Sequence, residues 1–328
     1  MLTLGLALCV VPSGCLDPDA PGNLVPATVV DNPSLPAIEI ADTRLHAESF
    51  GDPGDPMIMV LHGGPGSDYR AMLPLRALAN DGFFLVFWDQ RGAGLSQRHD
   101  ASSYSLEGYL EDLRLVLEHY TNAPDQPVVF IGHSWGAMYA TWFIDEYGDY
   151  DGRVRGAILS EPGAFTDEQL GPYFERLLGS VRYFGEVAND VTWADQFIST
   201  AEHARADYAV AMRAAQGRPA EHYDPDNPAP SWRPGAVVLD ALLSLAQEDG
   251  FDWTQNLASF PGKVLFLRGE LNEAATLEHQ QELAASYADS EIVTIAGVGH
   301  EMIWERPDAY LQHTRAYLAE LGLPGGAR

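Results

Sequence analysis

Short apolar runs recur along the chain, and most of them are separated by stretches of helical character. Such runs are typical of strands that are buried on both faces of a parallel sheet, with helices packed against it. The runs predict strands at Met57–Leu61, Phe83–Trp88, Val128–Ile131, Gly156–Ser160, Val264–Leu267 and Ile292–Ile295. We therefore expect an α/β fold built around a mostly parallel sheet.

This alternation is interrupted after the strand at 156–160, where the sequence becomes helical and irregular and includes a proline-rich patch at 225–234. An interruption of roughly a hundred residues is too long for a structureless loop in a compact domain. The pattern predicts a helical cap over residues 162–261, inserted between the two parts of one core, 38–161 and 262–328.

The pentapeptide Gly132-His-Ser-Trp-Gly136 follows one apolar run and precedes a helix-like segment. A strand, a sharp turn and a helix with serine at the apex form a nucleophile elbow. Glycines flank the serine because the turn packs strand backbone against helix backbone, while the serine itself tolerates a strained conformation. Ser134 is therefore the candidate nucleophile.

A second apolar run, Met57–Leu61, ends in the glycine-rich turn His62-Gly-Gly-Pro-Gly66. Backbone N–H groups of such a turn can point into a cavity and supply one arm of an oxyanion hole. The amide of Trp135 would supply the other, because it begins the helix after the nucleophile, where the helix dipole favours negative charge. We assign Gly64 and Trp135 as the two donors.

A serine hydroxyl needs a base to accept its proton, and histidine titrates in the useful range. Of the ten histidines, His300 follows the last predicted strand in the sequence Gly299-His300. Most of the others lie in polar stretches or inside the motifs already described. The order of serine followed by histidine at the end of the last strand makes His300 the candidate base.

Together, His62-Gly-Gly-Pro-Gly66, Trp88-Asp-Gln-Arg-Gly-Ala-Gly-Leu-Ser96, the elbow and Gly299-His300 resemble the α/β-hydrolase superfamily and, within it, the proline iminopeptidase-like branch of serine peptidases. The resemblance extends from about Ile38 to Leu321. It implies an α/β-hydrolase fold, with a mostly parallel sheet flanked by helices and a helical cap after strand six. It also implies a catalytic triad in the order Ser, acid, His.

The triad acid is where this sequence departs from the family. The usual pattern places aspartate three residues after the glycine that ends the strand, but Gly269 is followed at that distance by Asn272. An asparagine cannot stabilise an imidazolium by charge. Glu273, one residue further along the loop, is slightly preferred as the acid. Glu161, where some superfamily members place theirs, is second, and Glu270 is third.

The formal net charge of −28 argues against binding to nucleic acid or to anionic membranes through a basic surface. No metal-ligand spacing such as H-E-x-x-H occurs, and we expect no cofactor.

Asp89 and Arg91 are expected to fix their loop by charge-assisted hydrogen bonds. In the resembling peptidases, cap glutamates hold the free amino group of the substrate. The candidates here are Glu168, Glu175, Glu186 and Glu202.

The amino terminus predicts a location. Residues 1–15 combine an apolar stretch, too short to span a bilayer, with small residues before Cys15, and so resemble a bacterial lipoprotein leader. Lipidated Cys15 would anchor the protein in the cell envelope, on the periplasmic side or in the outer membrane. Residues 16–37, rich in Pro and Asp, would form an extended tether. If the leader is misassigned, the protein would be secreted or cytoplasmic.

The leading function is a serine hydrolase that acts through an acyl-enzyme on a small-molecule or short-peptide substrate, as an aminopeptidase of the proline iminopeptidase type. Because fold and triad do not determine the substrate, an esterase or lactonase acting on a small acyl substrate is the alternative. The departure at Asn272 keeps open a third reading, a non-catalytic lipoprotein that uses a hydrolase fold as a binding module.

Overall fold

The strands form a single sheet in the computed structural model, which describes residues 25–178, 202–214 and 226–323. In chain order they are β1 (Ala37–Ile40), β2 (Thr43–Phe50), β3 (Met57–Leu61), β4 (Phe84–Trp88), β5 (Val128–His133), β6 (Val154–Ser160), β7 (Lys263–Gly269) and β8 (Ser290–Ile295). Their spatial order is β1-β2-β4-β3-β5-β6-β7-β8. The pairs β1–β2 and β2–β4 are antiparallel and the other pairs are parallel, which confirms the predicted fold class.

Helices connect the strands from β3 onward. The described α-helices are α1 (Leu106–Tyr120), α2 (Trp135–Tyr147), α3 (Asp167–Leu178), α4 (Glu202–Ala214), α5 (Ala236–Asp249), α6 (Leu277–Ala284), α7 (Met302–Glu305) and α8 (Pro307–Glu320), and the described 3-10 helices are Arg70–Asp81, Ala101–Ser103 and Leu257–Ser259. Side chains cap two of them: Ser105 Oγ accepts the Gly108 N–H at 3.0 Å before α1, and Thr276 Oγ1 accepts the His279 N–H at 3.2 Å before α6. Helix α8 begins at Pro307, where the missing N–H leaves no donor unpaired.

Burial explains which strands were predictable. Every residue of β3, β4 and β5 is buried, so these strands read as unbroken apolar runs. Alternate residues of β3 enter two apolar clusters, Met59 with residues of α2 and Ile58 with residues of α8. The sheet is thus covered on both faces. Strands β1 and β2, which were not predicted, mix polar and apolar residues because they lie at the antiparallel edge.

Three described helices, α3, α4 and α5, lie between β6 and β7, in the segment predicted as a cap. We call residues 162–261 the insert. Residues 179–201 and 215–225 of the insert lie outside the described part of the chain. The insert is tied to the core through Asp207, which is fully buried and accepts hydrogen bonds from Arg98 at 3.0 Å and Arg233 at 2.7 Å.

The amino-terminal segment differs in part from the prediction. The leader with Cys15 lies outside the described residues, but the predicted tether, 16–37, is described from residue 25 onward. Val25 and Val29 are buried, and the Val29 N–H donates to the Leu95 carbonyl at 2.8 Å. The described part of this segment is therefore packed on the fold and is not a free tether, because the side chains of Val25 and Val29 are buried. Among the described residues, no helix combines the length and apolar character needed to cross a bilayer.

Candidate active site

Ser134 lies in the turn between β5 and α2, at φ 54° and ψ −118°. A non-glycine residue with positive φ is strained, and such strain is a common feature of functional turns. The neighbouring glycines are required sterically: a Cβ at Gly132 would collide with the Gly136 backbone, and one at Gly136 would collide with the carbonyl of Leu61. The turn therefore has the elbow geometry that the sequence predicts.

His300 lies in the loop after β8, and its Nδ1 is 2.5 Å from Oε2 of Glu161. Glu161 directly follows β6, adopts a positive φ of 51° and is fully buried. Its other oxygen, Oε1, accepts the N–H of Gly269 at 2.7 Å. Since a carboxylate only accepts hydrogen bonds, Nδ1 of His300 carries the proton, and Nε2 is the basic nitrogen of the ring.

The preference for Glu273 as the acid is corrected by this arrangement. Asn272 points inward, where its Oδ1 accepts the N–H groups of Ala274 at 2.9 Å and Ala275 at 3.1 Å. The following residue, Glu273, consequently faces solvent, and no hydrogen bond joins its side chain to His300 within the described structure. The third candidate, Glu270, is also exposed and accepts the Gly297 N–H at 2.8 Å.

The two predicted oxyanion donors border the same cavity as Ser134. Gly64 has a φ of 123°, and a Cβ there would collide with the backbone amide of Gly66, so only glycine fits. Trp135 is the first residue of α2, at the positive end of the helix dipole. In the part of the chain that the structure describes, neither amide is hydrogen bonded to an acceptor.

Gln90, which was not predicted as a site residue, joins the two sides of this site. Its backbone N–H donates to His62 Nε2 at 2.9 Å, and its side chain donates to the His62 carbonyl at 3.0 Å. Its Oε1 accepts the indole N–H of Trp135 at 2.9 Å. Because Nε2 of His62 is an acceptor, Nδ1 donates to the Gly63 carbonyl at 2.8 Å. The ring is neutral, and burial lowers the pKa of His62.

The residues on either side of Gln90 hold neighbouring loops and do not line the cavity. Asp89 accepts hydrogen bonds from His46 Nδ1 at 2.7 Å and from the Leu95 N–H at 2.8 Å. Arg91 binds Asp112 through two hydrogen bonds of 2.7 Å each. Both side chains make charge-assisted bonds of the kind expected from the sequence. The sequence signal that could have identified Gln90 is its position between Asp89 and Arg91 in the D-Q-R-G motif.

The cavity above Ser134 is apolar. It encloses about 660 Å³ of empty space, mouth included, between the core and the insert. Its lining consists of Gly64, Pro65, Leu106, Ser134, Trp135, Met138, Gly163, Leu170, Tyr173, Phe174, Leu242, Leu243, Ala246, Phe251 and Trp253. No carboxylate is among these described residues. Glu168 and Glu175 are exposed outside the cavity, whereas Glu186 and the side chain of Glu202 lie outside the described structure.

A family model described as alpha/beta hydrolase fold matches residues 56–307 of the 328-residue chain. The chain belongs to the α/β-hydrolase family. The proline iminopeptidase PfmaB of Pestalotiopsis fici is 23% identical over 291 residues, which cover 86% of this chain and 98% of that protein. Epoxide hydrolase B of Mycobacterium tuberculosis is 36% identical over 152 residues, covering 43% of this chain and 42% of that protein.

A solved structure, the proline iminopeptidase of Mycobacterium smegmatis, matches this α/β-hydrolase with a TM-score of 0.57 and 16% identity, covering 88% of this chain and 98% of that one. At this identity the likeness concerns the fold alone. Among the described residues of the α/β-hydrolase, no group of three or more His, Cys, Asp and Glu side chains is arranged to hold a metal ion.

Proposed function

We propose that this α/β-hydrolase is a serine hydrolase that works through an acyl-enzyme, with Ser134 as nucleophile, His300 as base and Glu161 as the acid of the triad. The observation that carries the proposal is the 2.5 Å contact between Glu161 and His300, made by a fully buried carboxylate. The elbow lies beside this pair, because the ring of His133, next to Ser134 in the chain, packs on the ring of His300.

In the proposed reaction, Ser134 Oγ attacks the carbonyl carbon of the substrate while its proton passes to Nε2 of His300. The amides of Gly64 and Trp135 bind the resulting oxyanion. The tetrahedral intermediate collapses, and the leaving group departs with the proton from His300. Water then attacks the acyl-enzyme, again through His300, and releases the acid and free Ser134. Glu161 maintains the tautomer of His300 and stabilises the imidazolium in both halves of the cycle.

The cavity favours an ester or lactone with an uncharged, apolar acyl group, because the described lining has no side chain that would pair with a charged one. A second candidate is the aminopeptidase function of the proline iminopeptidase type. It is supported by the similarity to a proline iminopeptidase over 98% of that protein's length. Its requirement is a carboxylate for the substrate's amino group, for which Glu186 and Glu202 of the insert are the candidates.

Covalent labelling tests the serine-hydrolase function. A fluorophosphonate probe should label the wild type and Ser102→Ala, which changes an exposed serine away from the cavity, but should not label Ser134→Ala. Absence of labelling in the folded wild type would favour the non-catalytic binding module instead. Labelling of Ser134→Ala would assign the nucleophile elsewhere.

A substrate panel separates the two candidate substrate classes. We expect p-nitrophenyl esters of two to eight acyl carbons to be hydrolysed with a kcat/KM that rises about threefold to fourfold for each added methylene, as burial of about 0.8 kcal/mol per methylene predicts. Aminoacyl-arylamides, with proline p-nitroanilide among them, are the comparison. A larger kcat/KM for the arylamides would establish the aminopeptidase and reject the ester proposal.

We also propose that Cys15 is lipidated, on the strength of the apolar stretch and the small residues that precede it. A terminus that carries several acyl chains resists extraction by salt, whereas a single chain binds only marginally. Expressed in a Gram-negative host with its leader, the wild type should partition with membranes and Cys15→Ser should not be lipidated. A soluble mature chain that begins at another residue would show that the leader is misassigned.

A further inference from the structure

Asn272 occupies the place where the resembling peptidases carry their acid, yet it remains part of the triad's surroundings. We propose that Asn272 is a positioning residue, whose side-chain amide holds the Glu161 carboxylate against His300 by donating a hydrogen bond. The side chains at positions 161 and 272 then both lie beside Nδ1 of His300, so a carboxylate should serve the ring from either position. This inference rests on the proposed serine-hydrolase function.

The orientation of the Asn272 amide is determined by its partners. Its Oδ1 accepts two backbone N–H groups, from Ala274 and Ala275, so the nitrogen must be the end that faces Glu161. The distance from Nδ2 to Glu161 Oε2 is 2.5 Å. The flipped amide would set its oxygen against the carboxylate and its nitrogen against two donors, which excludes it.

Three N–H donors consequently converge on the buried Glu161 carboxylate. His300 Nδ1 and Asn272 Nδ2 share Oε2, and the Gly269 N–H binds Oε1. Hydrogen bonds to the charged form of a carboxylate favour that form and offset the penalty of its burial. The carboxylate is thereby held at both oxygens. Its ionised state is what the stabilisation of an imidazolium at His300 requires.

Asn272 also lies beside His300 itself, with 3.3 Å between Asn272 Nδ2 and His300 Nδ1. Both atoms donate to Glu161, so this short distance reflects two donors on one acceptor rather than a bond between them. An oxygen in place of Nδ2 would lie within reach of Nδ1 of His300. A carboxylate at position 272 would therefore accept the hydrogen bond of His300 Nδ1, provided that an amide at position 161 donated a hydrogen bond to that carboxylate.

A carboxylate exchange tests the inference. Glu161→Gln alone should lower kcat by about three to four orders of magnitude, because imidazolium stabilisation and control of the tautomer fail together. The double variant Glu161→Gln/Asn272→Asp should have a kcat at least about tenfold higher than that of Glu161→Gln, since it restores one carboxylate and one amide beside Nδ1 of His300. The matched control Glu161→Gln/Asn122→Asp adds the same charge at an exposed asparagine and should recover nothing.

A single variant provides an independent readout. Asn272→Ala should lower kcat about tenfold with little change in KM, because it loosens Glu161 without touching substrate. Thermal melting verifies that each variant is folded. An Asn272→Ala enzyme with wild-type kcat, or a folded double variant no better than Glu161→Gln, overturns the role of Asn272. Wild-type activity in Glu161→Gln would instead overturn the proposed triad on which the inference rests.

Discussion

The ring of His133 lies against the ring of His300, with centroids 4.4 Å apart and planes inclined by 39°. The Nε2–H of His133 donates to the carbonyl oxygen of His300 at 2.9 Å. Because His133 immediately precedes Ser134, this pair joins the nucleophile elbow to the loop of the base. Burial, and to a smaller extent the neighbouring His300, lowers the pKa of His133 to about 3, so the ring is neutral.

The lowered pKa of His133 predicts loss of stability in acid. The unfolded chain, with a histidine pKa of about 6.5, binds a proton before the folded chain does. The free energy of unfolding should therefore be unaffected by His133 above pH 6.5 and should fall as the pH is lowered toward 3. The slope from this residue is at most about 1.4 kcal/mol per pH unit.

Urea denaturation between pH 7 and pH 4 measures this effect. His133→Gln, which keeps a donor for the His300 carbonyl and removes the ionisable ring, should show a shallower fall in stability than the wild type. His119→Gln changes an exposed histidine and should leave the slope as it is. Equal slopes for His133→Gln and wild type would contradict the assignment.

Removal of the nucleophile or the base should abolish turnover. Ser134→Ala and His300→Ala should each lower kcat by at least about three orders of magnitude, since members of a triad act as a unit. Steady-state kinetics on the most active ester measures the loss, and the melting temperature shows whether the fold is kept. Retained turnover in a folded Ser134→Ala would end the serine-hydrolase proposal.

The identity of the acid is tested by comparing two glutamates in separate parts of the chain. Glu161→Gln removes the charge that faces His300 and should reduce kcat by about three to four orders of magnitude. Glu273→Gln changes an exposed side chain one residue from Asn272 and should leave kcat within about twofold of wild type, as is usual for surface substitutions. The reverse pattern would restore the assignment favoured by the sequence.

Gln90 should support the oxyanion side. Gln90→Ala leaves the buried Trp135 indole N–H unpaired, which costs about 1–3 kcal/mol of stability, and should lower kcat about tenfold because the loop of Gly64 and the start of α2 lose their link. Gln126→Ala is the control: Gln126 is similarly buried but donates to Pro53 and Asp55, away from the site. It should lose stability and keep its kcat.

The cavity should determine the length of the acyl group. Ala246 lines it from α5, and Ala246→Phe should lower kcat/KM for an octanoyl ester about tenfold while sparing an acetyl ester, because only the longer chain loses about 1–2 kcal/mol of contact. Ser244→Phe adds the same ring to an exposed position of the same helix. If both variants treat the two esters alike, the acyl group binds elsewhere.

Local patterns were sufficient for much of this structure. The runs at β3 to β7 are predicted from sequence because strands buried on both faces are largely apolar, and β3, β4 and β5 are buried throughout. Edge strand β8 is predicted from its apolar run Ile292–Ile295, although only Ile295 of that run is buried. The turns around Ser134 and Gly64 were predictable for a related reason, since their backbones collide with any side chain larger than hydrogen at the flanking glycines. Strands β1 and β2 escaped prediction because they lie at a mixed edge and lack such a pattern.

The sequence by itself determined the fold class and the elbow and marked His300 as the candidate base, because each of these signals is a short local pattern. Only the tertiary structure decided which carboxylate faces His300. Ser160 pairs with Leu267 across β6 and β7, which brings Glu161 to Gly269 and Asn272. That contact joins residues about a hundred positions apart, and it turns Glu273 to solvent. The register between two strands, which no local pattern records, therefore selects the carboxylate that faces His300.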